Sequence, residues 1–154
     1  MTDVITHLRG TPLFAELGDD ALARVAALCQ SETVAADTHL FHEGDAGDRL
    51  YLITSGAVRI SRQIPGSGEE ALTVLRPGQV FGEMAVFDRT ERSTDAIAQE
   101  ATTLLTIQRD ALEALLLNDP ALARVVLWAF VRVLSGRLRA TNDSLRSFLA
   151  MSMF

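Results

Sequence analysis

The chain has 154 residues, 48% of them hydrophobic, and its acids exceed its bases by 20 to 14 for a net charge of −6. That length suits one globular domain with enough apolar residues for a core, and the acidic balance lacks the basic footprint of a nucleic-acid binder. The single cysteine, Cys29, excludes an intramolecular disulfide and a multi-cysteine metal cluster. The start MTDVITHLRG has no basic head followed by an apolar core, so no export is expected and the cytoplasm is the expected location. The most apolar stretch, residues 125–134, is interrupted by Arg132 and falls short of the ~20 residues that cross a bilayer.

From residue 2 to 30 the pattern is helical. Asp19 is placed to cap a helix whose Leu22, Val25, Ala26 and Cys29 share a face, and Pro12 after Thr11 starts a separate short turn. Between residues 33 and 107 the reading changes to short apolar runs, HLF, LYLI, AVRIS, ALTVL and TTLLTI, separated by EGDAGD, TSG, PGSGEE and RPG. Val58 and Ile60 alternate with Arg59 and Ser61, the pattern of a strand with one wet face. Many short strands of this kind predict an antiparallel β-barrel of jelly-roll type, with PGSGEE as a hairpin tip. His39 and His42 stand at an odd offset along a strand, which predicts opposite faces and no shared metal.

After Arg109 the helical period returns. Residues 119–154 carry five arginines against Asp119 and Asp143, so this segment is +3 and the rest of the chain is −9. Asp119-Pro120 is a strong helix start, and only Gly136 interrupts the run before about Ser147. The whole chain, 1–154, thus reads as one α+β domain: N-terminal helices in 1–32, a barrel in 33–108, and C-terminal helices in 109–149.

The long helix has two apolar faces. Leu122, Val126, Ala129, Val133, Gly136 and Ala140 form a mostly small stripe suited to packing on the helix's own domain. Leu127, Val131, Leu134, Leu138, Thr141, Leu145 and Phe148 are spaced alternately four and three, the repeat of a coiled-coil seam. The second seam predicts a homodimer through this helix. Thr141 is its one polar member and reads in two ways: as a register-setting residue, or as a contact to something polar at the dimer axis. The arginines of the segment, Arg124, Arg132, Arg137, Arg139 and Arg146, read as a solvated face.

The stretch VFGEMAVFDRTERSTDAIA, residues 80–98, carries the candidate chemistry. If a strand ends at Val80 or Phe81 and a short helix begins at Glu83, the N–H groups of Met84 and Ala85 point outward with the positive end of the helix dipole, an arrangement that binds anions. Gly82 permits close approach, and Arg92 supplies a fork of donors matched to phosphate oxygens. Glu83 repels an anion but accepts from a sugar hydroxyl. The alternative reading is structural, with Glu83 complementing the dipole and Arg92 pairing with it on the surface. Ser55 and Ser93 lack evident His and acid partners, so nucleophilic catalysis has no support.

FGEMAVFDRTERST resembles the phosphate-binding cassette of cyclic nucleotide-binding domains, with pattern Phe-Gly-Glu, any residue, Ala, then Arg followed by Ser, Thr or Ala. LRGTPLFAEL, LFHEGDAGDRLYLITSGAVRI and LRPGQVFGEMA resemble other parts of that family in the same order, so the resemblance covers almost the whole chain. It implies a cassette at residues 81–94 whose ligand-binding positions here are Phe81, Gly82, Glu83, Met84, Ala85, Arg92, Ser93 and Thr94. In it Glu83 takes the ribose 2′-hydroxyl, Arg92 neutralises the cyclic phosphate, and Ser93 reaches the phosphate or a guanine. GRLRATND is similar to the central helix of the catabolite activator protein, which implies that Thr141 and Asn142 contact adenine. It also favours the ligand-contact reading of Thr141.

Two positions depart from the family pattern: Asp37 stands where Gly is frequent, and Thr94 where Ala is common. No helix-turn-helix, kinase, channel or cyclase sequence is present in the 154 residues. The expectation is a stand-alone regulatory sensor, not an enzyme. It would bind cAMP first and cGMP second, use no cofactor or metal, move its C-terminal helices on binding, and act on an unknown downstream protein. The alternative is an interaction module of the same fold that no longer binds nucleotide.

Overall fold

A computed structural model describes residues 2–153. Two helices, α1 (Thr2–Arg9) and α2 (Asp19–Ala26), lead into eight strands: β1 (Cys29–Val34), β2 (His39–Phe41), β3 (Arg49–Ser55), β4 (Val58–Ile64), β5 (Gly68–Leu75), β6 (Val80–Phe81), β7 (Asp95–Ala98) and β8 (Thr102–Gln108). A short helix, α3 (Glu83–Asp88), lies between β6 and β7, and α4 (Arg109–Asn118) and α5 (Pro120–Ser152) end the chain. The strands pair antiparallel in two four-stranded sheets, ordered β1-β8-β3-β6 and β2-β7-β4-β5.

In the first sheet β3, β6 and β8 are buried on both faces, whereas β1 at its edge is largely exposed, and that explains the unbroken apolar run LYLI of β3. Along β3, Leu50 and Leu52 turn toward the helices and join Leu8, Phe14, Leu22 and Val126 in one core, while Tyr51 and Ile53 turn toward the second sheet and join Phe41, Val58 and Leu104 in another. Successive side chains on a strand face opposite ways, so β6 does the same with two residues: Val80 enters the helix-side core and Phe81 the core between the sheets. In the second sheet β5 is an edge strand exposed along nearly its whole length.

Several sequence expectations need correction. Helix α2 ends at Ala26 and Cys29 opens β1, paired opposite Ile107 of β8, so the ladder to β8 overrides a helical spacing that was correct only as far as Ala26. Burial raises the Cys29 thiol to about 11, which makes it a poor nucleophile. Asp19 is the first residue of α2 rather than its cap, a place taken by Gly18 in extended conformation. His39 and His42 are not on opposite sides: their rings stack at 4.4 Å and 5°. Strand β2 ends at Phe41 and its register shifts between His39 and Phe41, so strict alternation does not carry as far as His42.

Asp37 adopts φ 68°, the left-handed turn that its residue type tolerates. The hairpin tip falls at residues 65–67 between β4 and β5, as expected.

Helix α5 starts where predicted. Asp119 is its N-cap, accepting from the N–H of Leu122 at 3.0 Å, and Pro120 is its first residue. It runs 33 residues, a length of about 50 Å. The small stripe packs on the domain only through Leu122, Val126 and Ala129; Val133 is half-buried, and Gly136 and Ala140 are exposed. The stripe's later half therefore faces residues 12–16 across an open groove instead of packing on them. Most of the seam is exposed, including Leu127, Val131, Leu138, Leu145 and Phe148.

The cap also carries a pH dependence. The Leu122 N–H, and next the Arg24 guanidinium, hold the Asp119 carboxyl below its ordinary value. A depressed folded pKa means stability present above the unfolded value and lost as pH falls through the folded one. Asp119→Ala is expected to lower the urea midpoint at pH 7, with the gap to the parent protein closing as acid protonates Asp119; equal midpoints at pH 7 would contradict the cap's role.

Candidate functional site

The site begins where β6 stops. The Phe81 ring stacks on Tyr51 at 4.8 Å and 6°, pinning the end of β6 in the core between the sheets. The chain then turns at Gly82 with φ 79°, a left-handed conformation that disfavours any side chain. A Cβ there would also lie 2.7 Å from Arg92 Nη1. Helix α3 starts at Glu83 with no side chain capping it, so the N–H groups of its first turn, including those of Met84 and Ala85, have no side-chain acceptor. The loop before β3 presses on the same turn, since a Cβ on Gly47 would lie 2.2 Å from that of Ala85.

Arg92 follows α3 and is tied in by its backbone: its N–H donates to Asp45 O at 2.8 Å, and Gly44 N–H donates to its carbonyl at 2.9 Å. Its side chain is 2% exposed. Nη1 donates to Gly82 O and Nη2 to Arg49 O, both at 2.8 Å, and the guanidinium carbon lies 4.2 Å from the centre of the Phe41 ring. Nε has no partner among the described residues. Burial pulls this guanidinium below its usual pKa, yet an arginine stays charged in proteins. The result is a fixed positive charge beside the uncapped first turn of a helix, with a glycine between them, which is a set of donors suited to an anion.

Glu83 is also buried, at 3% exposure. It does not pair with Arg92, so the surface salt bridge of the alternative reading is not formed. Its partner is Arg137 of α5, which forms an ion pair with Glu83 Oε1 and donates to Val80 O at 2.9 Å. Sequence reading placed Arg137 among solvated arginines and missed this role. The available signal was its position one helical turn before Thr141, on the segment already singled out.

The other expected site residues are distributed unevenly. Gly82, Glu83, Met84, Ala85 and Arg92 converge on the start of α3. Phe81 offers its backbone, its ring being committed to the core. Ser93 is exposed and Thr94 half-buried beside Arg92. Thr141 and Asn142 are exposed on α5, one turn past Arg137, and are not brought against the cradle within one chain. A recess of about 620 Å³ is a groove between residues 12–16 and α5 that includes neither Gly82 nor Arg92; the cradle is defined by its donors rather than by volume. Among the described residues no group of three or more His, Cys, Asp or Glu side chains is placed to hold a metal ion, and no helix is long and apolar enough to cross a membrane.

Comparison with known proteins places this geometry in context. The cyclic nucleotide-binding domain family matches residues 31–119. The chain is 33% identical over 137 residues to a CRP-like cAMP-activated global transcriptional regulator of Mycobacterium tuberculosis, covering 89% of this chain and 59% of that protein. It thus spans a little over half of that relative's length. Among solved structures it is similar to the N-terminal domain of a transcriptional regulator from Streptomyces coelicolor, with TM-score 0.76, 38% identity and coverage of 90% and 94% of the two chains. It is also similar to the regulatory domain of Toxoplasma gondii PKA in a co-crystal with cAMP, with TM-score 0.69, 32% identity and coverage of 74% and 43%.

The Glu83–Arg137 pair yields a stability prediction. Arg137→Ala leaves a buried carboxylate without its cation and is expected to cost about 1–3 kcal/mol in urea unfolding, below the range for fully buried pairs because Arg137 is half exposed. Adding Glu83→Gln is expected to recover most of that loss. A double variant as unstable as the single one would show that the charge of Glu83 is not what Arg137 compensates.

Proposed function

The chain belongs to the cyclic nucleotide-binding domain family, and on that premise we propose that it is a sensor of cAMP, with cGMP as the second choice. The observation that carries this reading is the buried, charged Arg92 held beside the uncapped start of α3 across Gly82. In the proposal the cyclic phosphate takes the N–H groups of Gly82, Met84 and Ala85, and draws the Arg92 guanidinium from the carbonyls of Gly82 and Arg49. An ionised phosphate oxygen is a stronger acceptor for guanidinium than a neutral carbonyl. Glu83 accepts the ribose 2′-hydroxyl; a carboxylate has about four acceptor sites, so it does this without giving up Arg137. Ser93 and Thr94 border the phosphate, and Ser93 suits either base. Thr141 and Asn142 favour adenine. The unit that does this is the whole chain, with its cassette at 81–94, and its role is regulatory.

The output is proposed to run through α5. Arg137 joins the carboxylate that meets the ribose to the helix that carries the exposed seam, so a ligand that binds one setting of this contact better shifts α5 toward it. The seam pairs with that of a second copy, which buries Leu138, Leu145 and Phe148 and brings Thr141 to the axis. The downstream partner is a protein that reads the position of this helix.

Calorimetric titration of nucleotide-stripped protein with cAMP and cGMP tests the binding. Micromolar or tighter affinity is expected for cAMP, at least about 30-fold weaker in Arg92→Ala; no heat with either nucleotide would move the reading to an interaction module of the same fold. For the output, a spin label on Ser144→Cys, in a Cys29→Ala background, is expected to report an intermolecular distance that changes on adding cAMP. Absence of any such distance would remove the dimer, and an unchanged one would remove the switch.

A further inference from the structure

We infer that a recess behind Glu83 is a second binding site, for a small neutral molecule carrying hydroxyl groups on a short apolar body. The recess has a volume of about 190 Å³ and lies between the turn at residues 11–13, the approach to β6 at residues 78–80, and α5. It shares Glu83 with the cradle, but Gly82, Arg92 and Ser93 do not line it, so it opens on the other side of that carboxylate and the inference does not depend on the nucleotide reading.

The lining combines a few polar side chains with apolar walls. Thr11 is 1% exposed, and its hydroxyl has no hydrogen-bond partner among the described residues. A buried hydroxyl left in that condition is costly, and such groups in folded proteins are normally satisfied. Glu83 and Arg137 also border the recess. As an ion pair their charges offset, which disfavours a charged occupant of either sign. Glu83 only accepts, Arg137 only donates, and the Thr11 hydroxyl does both, so hydroxyl groups match all three. The remaining walls, chiefly Leu13, Val80, Phe130 and Val133, are apolar. The volume far exceeds the ~10–15 Å³ that one water requires, and water gains few partners against the apolar walls, whereas a short hydrocarbon body packs on them.

The test uses the full chain without nucleotide and 1,2-butanediol as the probe, followed by two-dimensional amide NMR. Saturable shifts are expected at Gln79, Val80 and Phe130, with affinity in the millimolar range. Thr11→Val keeps the shape of the side chain and removes only an unpartnered hydroxyl, so it is expected to fold and to weaken binding about fivefold. Val133→Phe fills the recess and is expected to abolish binding. Shifts that rise linearly without saturation, or an affinity unchanged in Thr11→Val, would overturn the site and leave the recess to water.

Discussion

The guanidinium of Arg92 is where the constraints on this fold meet. It is a permanent charge with almost no exposure, and it is tolerated there because two carbonyls accept from it, the face of Phe41 lies under it and the Asp48 carboxylate stands 4.0 Å from Nη2. These partners come from different parts of the chain: Gly82 from the end of β6, Asp48 and Arg49 from where β3 starts, Phe41 from β2. A residue that must satisfy all of them at once fixes where these segments lie relative to one another. It also requires the glycine, since any side chain at position 82 would enter the space of Nη1. The same contacts that bury this charge hold it beside the uncapped first turn of α3.

That arrangement depends in turn on three strands buried on both faces. The two cores are separated by the thickness of β3, β8 and β6, and the pair Val80-Phe81 contributes one residue to each. With β6 anchored on both sides, the turn at Gly82 and the first turn of α3 have little freedom, so the donors are held in place before any ligand arrives. Preorganised donors are what make a small number of polar contacts effective.

Helix α5 stands in a different relation to the domain. Its first turns are core, its middle is held by polar contacts from Arg132 to Glu16 and from Arg137 to Val80 and Glu83, and its last turns leave the surface. Apolar packing thus fixes the base of the helix, with Phe130 stacked on Phe87 at 4.1 Å, while charged contacts take over further along. The pair Arg137–Glu83 is the direct link between α5 and the start of α3.

The strand segments with apolar runs, the start of α5 at Asp119-Pro120, and the cluster from Gly82 to Ala85 were legible because each is a local pattern: periodicity, capping chemistry, or a glycine next to a helix start. The first residues of β1 fall in the stretch that reads as helical because Cys29 continues the 3.6-residue spacing, and only the ladder to β8 assigns them otherwise. The stacking of His39 on His42, the burial of Arg92 away from Glu83, and the role of Arg137 were beyond reach for the same reason. The histidine stack follows from the register shift in the pairing of β2 with β7, and the other two are contacts between segments brought together by packing the two cores, so no spacing along the chain encodes them. What the sequence determined by itself was which residues have the chemistry to meet an anion and a sugar; the tertiary structure decided their partners, because a buried charge settles where its hydrogen bonds can all be made.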